Sequence, residues 1–383
     1  MMKHIAQISI AIALVTAVMF SGFSAAAGIE EDCAQESNPQ LSVTGCSEII
    51  RSERFDGEEL ARIYYNRGNA YAVLGKQTRA IEDFDQAVHL GAGSEWRCAV
   101  YYNRAAAYGN FGEHQRAITD YDSALKMCPD LAWAYHNRGA AYAEIGEHSR
   151  AIKNYNQAIR LDPSLAITFN SRGLTYDALG DHRRAIEDYD QAIRLEPDYA
   201  LAYNSRGAAY YSLGEHRRAI KDFDQTLRLG LSDARVYCNR GTAYNALGEH
   251  IRAISDFDRA LQQDPSNVCA YNNRGNAYLE LGEYVRAIEN YDQALRAEPG
   301  FALAYHNRSR ARCRLGQIEA SMDDRMQTLR LGAFKAAYEL QIDLRERGFY
   351  KGTIDGDFGP ASRSALREWT SAGCPDSEDH RRQ

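Results

Sequence analysis

Apolar and aromatic residues recur through the middle of the chain with the spacing of a helix stripe. Tyr64, Gly68 and Tyr71 stand at i, i+4 and i+7, and Ala80, Phe84 and Ala87 repeat that spacing. Gly75 lies between the two stripes. The same glycine returns as Gly112, Gly146, Gly180, Gly214, Gly248, Gly282 and Gly316. A glycine there can take the left-handed conformation that ends a helix, so each stretch predicts two helices joined by a short turn. The run Tyr64-Tyr65-Asn66-Arg67-Gly68 recurs in related form, for example at Tyr135 to Gly139, and ends at Tyr305 to Ser309. Its first step is 37 residues and every later step is 34. Proline follows the second stripe at Pro129, Pro163, Pro197, Pro265 and Pro299, where it stops the helix. Extra residues near Gly91-Ala92-Gly93, and Leu229-Gly230-Leu231 in the fifth copy, predict local irregularities.

One hairpin cannot bury its stripe alone, so the copies must stack, which predicts an array with a concave inner face. Gly68 sits inside a predicted helix at a cost of about 1 kcal/mol, offset if a neighbouring aromatic ring takes the vacated space. The last copy departs as an end unit should: Arg312 replaces Tyr, Ser321 replaces Ala and Arg325 replaces an aromatic. Ahead of the first copy, Ser42 to Arg51 carries Val43, Cys46 and Ile49-Ile50 and reads as a covering helix. Arginine holds the seventh place of every copy, from Arg67 to Arg308. Acids such as Asp83, Asp120 and Asp256 recur on the second helix, so ion pairs between helices are expected.

A 34-residue period with Gly eighth, Tyr eleventh, Ala twentieth, an aromatic twenty-fourth and Pro thirty-second resembles the tetratricopeptide repeat. The resemblance covers residues 61 to 335 in eight units. It implies an all-α fold, a right-handed superhelical solenoid of helix-turn-helix repeats, whose groove holds a protein or peptide segment. In that family the second, fifth, ninth, twelfth and thirteenth residues of the first helix line the groove. Carried onto this sequence, the resemblance names Tyr65, Asn69, Tyr102, Trp133, His136, Asn170, Asp177, Asn204, Tyr211, Arg235, Asn245, Asn272, Asn276 and Glu280. The alternative for any one of them is ordinary surface. The Lys-Asn pair of the family's carboxylate-clamp members is absent, since those places read Tyr65/Asn69 and Asn272/Asn276.

Residues outside the repeats change the picture in three ways. First, Lys3 and His4 precede an apolar run from Ile5 to Phe20, and Ala25-Ala26-Ala27 follows. This is the pattern of a secretory signal peptide over residues 1–27, with an uncleaved anchor as the alternative. Export to the periplasm, with no membrane contact after cleavage, is therefore expected. Residues 28–60 form the front cap.

Second, eight cysteines in an exported chain point to disulfides. Cys33 and Cys46 are neighbours in the cap. Cys98 and Cys128 fall at the same end of one helix pair. Cys238 and Cys269 fall on the inner face of adjacent repeats. Cys313 with Cys374 follows only by elimination.

Third, residues 336–374 carry Gly348-Phe349-Tyr350, Ile354-Asp355-Gly356, Phe358-Gly359-Pro360, Ser362-Arg363 and Trp369 ahead of a polar tail, 375–383. The series resembles the first part of a small helical peptidoglycan-binding domain. That resemblance assigns glycan contact to Tyr350, Asp355, Phe358, Arg363 and Trp369; the alternative is a mere cap on the array.

A net charge of −7, with acids matching the arginines, argues against nucleic acid as a partner. Histidine recurs at the seventeenth place as His114, His148, His182, His216 and His250. Helices 8–10 Å apart cannot share an ion through these rings, so they read as exposed turn residues and no metal is expected. No catalytic pair or cofactor motif is evident, and the expected role is a binding scaffold rather than an enzyme. A regulator acting on a cell-wall enzyme in trans, or an assembly scaffold without wall contact, are the alternatives.

Overall fold

In six of the eight repeats the aromatic ring at the twenty-fourth place and the glycine at the eighth lock together, and this contact sets the hairpin. A Cβ on Gly68 would lie 2.8 Å from Phe84 Cε1, and one on Gly275 would lie 2.6 Å from Tyr291 Cε1. Phe84, Tyr155, Phe223 and Tyr291 are fully buried as a result, each contributing roughly 2–3 kcal/mol of apolar burial. The turn is closed by the recurrent glycine; Gly112, at φ +87°, caps its helix in the left-handed region.

The computed structural model describes residues 29–35, 37–93, 96–354 and 359–372. All elements among them are helices. The expected signal peptide, residues 1–27, lies outside the described residues, as do Asp355, Phe358, Cys374 and the tail.

The chain divides into two units, residues 1–197 and 198–383. The first unit opens with α1 (Ile29–Cys33) and α2 (Pro39–Arg51), joined by a disulfide between Cys33 and Cys46. Four hairpins follow: α3 (Gly57–Val73) with α4 (Gln77–His89), α5 (Arg97–Phe111) with α6 (His114–Met127), α7 (Ala132–Glu144) with α8 (His148–Leu161), and α9 (Ala166–Ala178) with α10 (His182–Leu195). A disulfide links Cys98 and Cys128 within the second hairpin.

The second unit holds α11 (Ala200–Ser212) with α12 (His216–Arg228), α13 (Ala234–Ala246) with α14 (His250–Gln263), α15 (Val268–Glu280) with α16 (Tyr284–Ala297), and α17 (Ala302–Arg314) with α18 (Ile318–Glu346). The last helix, α19 (Pro360–Ser371), starts on a proline, which suits a first helical turn. At 29 residues α18 is far longer than its counterparts, and it carries the repeat into the C-terminal module without a break. The boundary expected between residues 335 and 336 lies inside it. Leu344, Tyr350, Ala365, Leu366 and Trp369 form a common apolar cluster with Cys313 of α17.

Within each unit, one guanidinium per repeat ties three helices together. Arg104 on α5 donates from Nε and Nη2 to Asp120 of its own hairpin, at 2.7 and 2.8 Å. Its Nη1 donates to Asp85 of the preceding hairpin at 2.7 Å. Arg240 does the same with Asp256 and Asp224. In two repeats an amide stands in for the buried acid: Arg138 donates to Asn154 and Arg274 to Asn290. The expected ion pairs are thus formed. Asp120 and Asp256, the acids of the same hairpin, are buried, so removing the arginine strands them at a cost of roughly 3–5 kcal/mol, whereas Asp85 is exposed and Asp224 half-buried.

Candidate functional site

Most fifth-place residues of the first helices turn inward, not toward the groove; Asn204 is the exception among the candidates. Tyr65, Tyr102, His136, Asn170 and Asn272 are all buried. The reason lies one residue further on, where an asparagine reaches back to the preceding repeat. Asn103 donates to the Tyr65 hydroxyl at 2.9 Å and to Asn69 Oδ1 at 2.8 Å. Asn137 donates to the Tyr102 hydroxyl at 3.0 Å, and Asn307 to Asn272 Oδ1 at 3.0 Å. At these three junctions a polar contact holds the fifth side chain between the helices, where unpaired polar groups are costly; Asn170 Oδ1, by contrast, is buried without a hydrogen-bond partner. Sequence reasoning missed this relay, although the near-constant asparagine at the sixth place was visible.

His136 shows what the relay demands. Its Nδ1 lies 3.0 Å from the Thr168 hydroxyl, and its ring packs against Trp133 and Tyr155. Burial lowers its pKa to about 4, so the ring is neutral near pH 7.

The remaining groove candidates stay accessible. In the first unit these are Asn69, Trp133 and Asp177, all half-buried. In the second unit Asn204, Tyr211, Asn245 and Asn276 are half-buried, and Arg235 and Glu280 are exposed. The twelfth residue is steadied from the turn. His182 Nδ1 lies 2.5 Å from Asp177 Oδ1, His250 Nδ1 lies 2.6 Å from Asn245 Oδ1, and the His216 ring sits 5.1 Å from Tyr211. The five recurrent histidines are therefore half-buried helix starts rather than exposed turn residues, and three of them, His182, His216 and His250, touch an inner-face residue. Among the described residues no group of three or more metal-binding side chains occurs.

Cys238 and Cys269 face each other across α13 and α15 with sulfurs 2.6 Å apart and no bond between them. The contact with Cys269, together with burial, raises the Cys238 pKa. The pairing suggested for Cys313 needs residue 374, outside the described residues.

Two residues assigned to glycan contact serve the core instead. Tyr350 and Trp369 are buried, and the Tyr350 hydroxyl donates to the Thr353 carbonyl at 2.8 Å. Arg363 is exposed. No described helix is long and apolar enough to cross a membrane.

The sequence matches family models of the tetratricopeptide repeat over residues 61–90, 96–164 and 234–301, and a TPR repeat model over 176–214. Between them these spans cover just over half of the chain, and the chain belongs to the tetratricopeptide repeat family. Such repeats form protein–protein interaction scaffolds, and that is the class defined here.

Among solved structures, a tetratricopeptide repeat protein from Parabacteroides merdae is 20% identical, with a TM-score of 0.52 over 65% of this chain and 97% of that one. PilF of Pseudomonas aeruginosa is 19% identical, with a TM-score of 0.48 over 55% and 97%. YrrB, described as a TPR protein with an unusual peptide-binding site, is 23% identical, with a TM-score of 0.43 over 49% and 96%. At these identities the fold alone is shared. A search of curated proteins finds no match.

Proposed function

We propose that the chain is an exported adaptor, working in the periplasm, that holds a segment of a partner protein along the inner side of its first helices. One observation carries this reading: after most fifth residues are drawn into the repeat junctions, the twelfth residues Asp177, Tyr211 and Asn245 remain accessible while a neighbouring histidine steadies each. A fixed, half-exposed amide, ring or carboxylate is what an extended backbone needs as a hydrogen-bond partner, and fixing it beforehand lowers the entropic cost of binding.

A photo-crosslinking residue in place of Tyr211 tests this. It should join a partner in cells, whereas the same residue in place of Lys221, on the second helix, should not. Equal yields from both positions would remove the groove from the account.

For the C-terminal module, a peptidoglycan tether and a closing cap are the competing readings. Burial of Tyr350 and Trp369 in the shared cluster favours the cap. Co-sedimentation of the full chain with purified sacculi decides between them. Wall binding that is lost in Arg363→Ala would restore the tether, and no sedimentation is the result the cap expects.

A further inference from the structure

At the end of the second unit, α15, the start of α16 at Tyr284, α17, α18 and α19 line a cavity of about 300 Å³. Arg310 and Arg314 on α17, Arg325 on α18 and Trp369 on α19 line it, with Glu280 of α15 at its rim. Arg325 takes the place that a buried aromatic ring fills in the other repeats. Only 6% of it is exposed. Its guanidinium carbon lies 4.1 Å from the centroid of the Trp369 ring, and its Nε is buried with no hydrogen-bond partner. A buried cation held on an aromatic face, with a donor unused, is costly unless an anion completes it.

Among the described residues the nearby acids do not complete it. Asp343 is engaged by Arg347 at 2.8 Å. Glu280 is exposed and pairs with Arg310 at 3.9 Å. Burial lowers the Arg325 pKa to about 10; Asp343 opposes that shift, and Arg347 and Arg310 add to it. The group therefore stays charged near pH 7. Arg310 and Arg314 are the ninth and thirteenth residues of the last first helix, so the cavity opens onto the row of side chains read above as the groove.

We propose that this cavity is a carboxylate subsite that receives an Asp or Glu side chain of a partner segment. A carboxylate presents two acceptors in a plane, which suits a guanidinium already fixed by stacking. Glu280 at the rim opposes a more highly charged anion. The proposal rests on the groove reading for the identity of its ligand, but the cavity can be tested by itself.

The probe is an N-acetylated, C-amidated tetraglutamate peptide, titrated into the full chain by calorimetry at low and high salt. Tetraglutamine and inorganic phosphate serve as comparisons. Tetraglutamate should bind, weaken with salt, and lose at least ten-fold in affinity in R310Q/R314Q, whose two positions are exposed and whose thermal unfolding should be unchanged. R325M should lose as much. No binding, binding unaffected by R310Q/R314Q, or phosphate binding more tightly than tetraglutamate would overturn the subsite. Arginine-dependent binding of tetraglutamate alongside a failed Tyr211 crosslink would uphold the subsite and remove the groove. A successful crosslink without tetraglutamate binding would do the reverse.

Discussion

At the front of the first unit, Arg67 finds Ser47 of a disulfide-closed helix pair where most later repeats offer a carboxylate. At the back of the second unit, Arg325 lies under Trp369 in place of an aromatic ring. Both ends cover a repeat that has lost one neighbour, but with different materials. The front uses Cys33, Cys46, Ile49 and Ile63, a dry apolar cluster. The back uses a larger cluster around Leu344 and Leu366 and leaves a charged cavity beside it. The difference separates two tasks of an end unit: sealing apolar surface, and presenting chemistry that the repeated interior does not carry.

Four measurements break or sharpen this comparison. Trp369→Ala should have the largest effect, about 4 kcal/mol as expected for a buried tryptophan. The loss should be confined to the back, with amide exchange accelerated near Leu344 and unchanged near Ile49. A loss spread evenly over both units would erase the distinction.

The front equivalent is C33S/C46S. Opening a loop with a sequence separation of 13 should cost about 3 kcal/mol, read as faster exchange in α2 and α3 only.

Acid should act on the first unit through His136. Its folded pKa, about 4, lies below the unfolded value of 6.5. The unfolded chain therefore takes up the proton first as the pH falls. Stability should drop by about 3 kcal/mol between pH 6.5 and 4, and His136→Gln should flatten that slope in urea unfolding.

The smallest structural change is expected at Cys238 and Cys269. Oxidised glutathione should join them with the loss of two hydrogens, seen by intact mass and absent in Cys238→Ser. Persistent free thiols at both positions would speak against the pairing.

The hairpins themselves were legible because three signals agree at six of the eight: a glycine that ends the first helix, a glycine that admits a ring, and the ring itself. The side of the helix that each polar residue serves was less legible. The fifth and sixth residues are adjacent in sequence, and only the neighbouring repeat decides which is drawn inward. Asn103, Asn137 and Asn307 settle that with hydrogen bonds to the repeat before, which a reading of one repeat at a time does not contain. The run of α18 through Gly332 was hidden for a related reason. A lone glycine costs a helix only about 1 kcal/mol, and no proline follows to end it.

The seventh-place arginine has a consequence for how such a chain changes length. Arg104 and Arg240 each bind an acid of their own hairpin and another of the hairpin before. Most interior copies thus bring both halves of the joint, the guanidinium for the predecessor and the carboxylate for the successor, with Asn156 standing in for the carboxylate toward Arg172. A gene segment of thirty-four codons can be duplicated or deleted and the new neighbours still fit. The two unlike termini have no such interchangeable counterpart, so a change of length can be accommodated only between them.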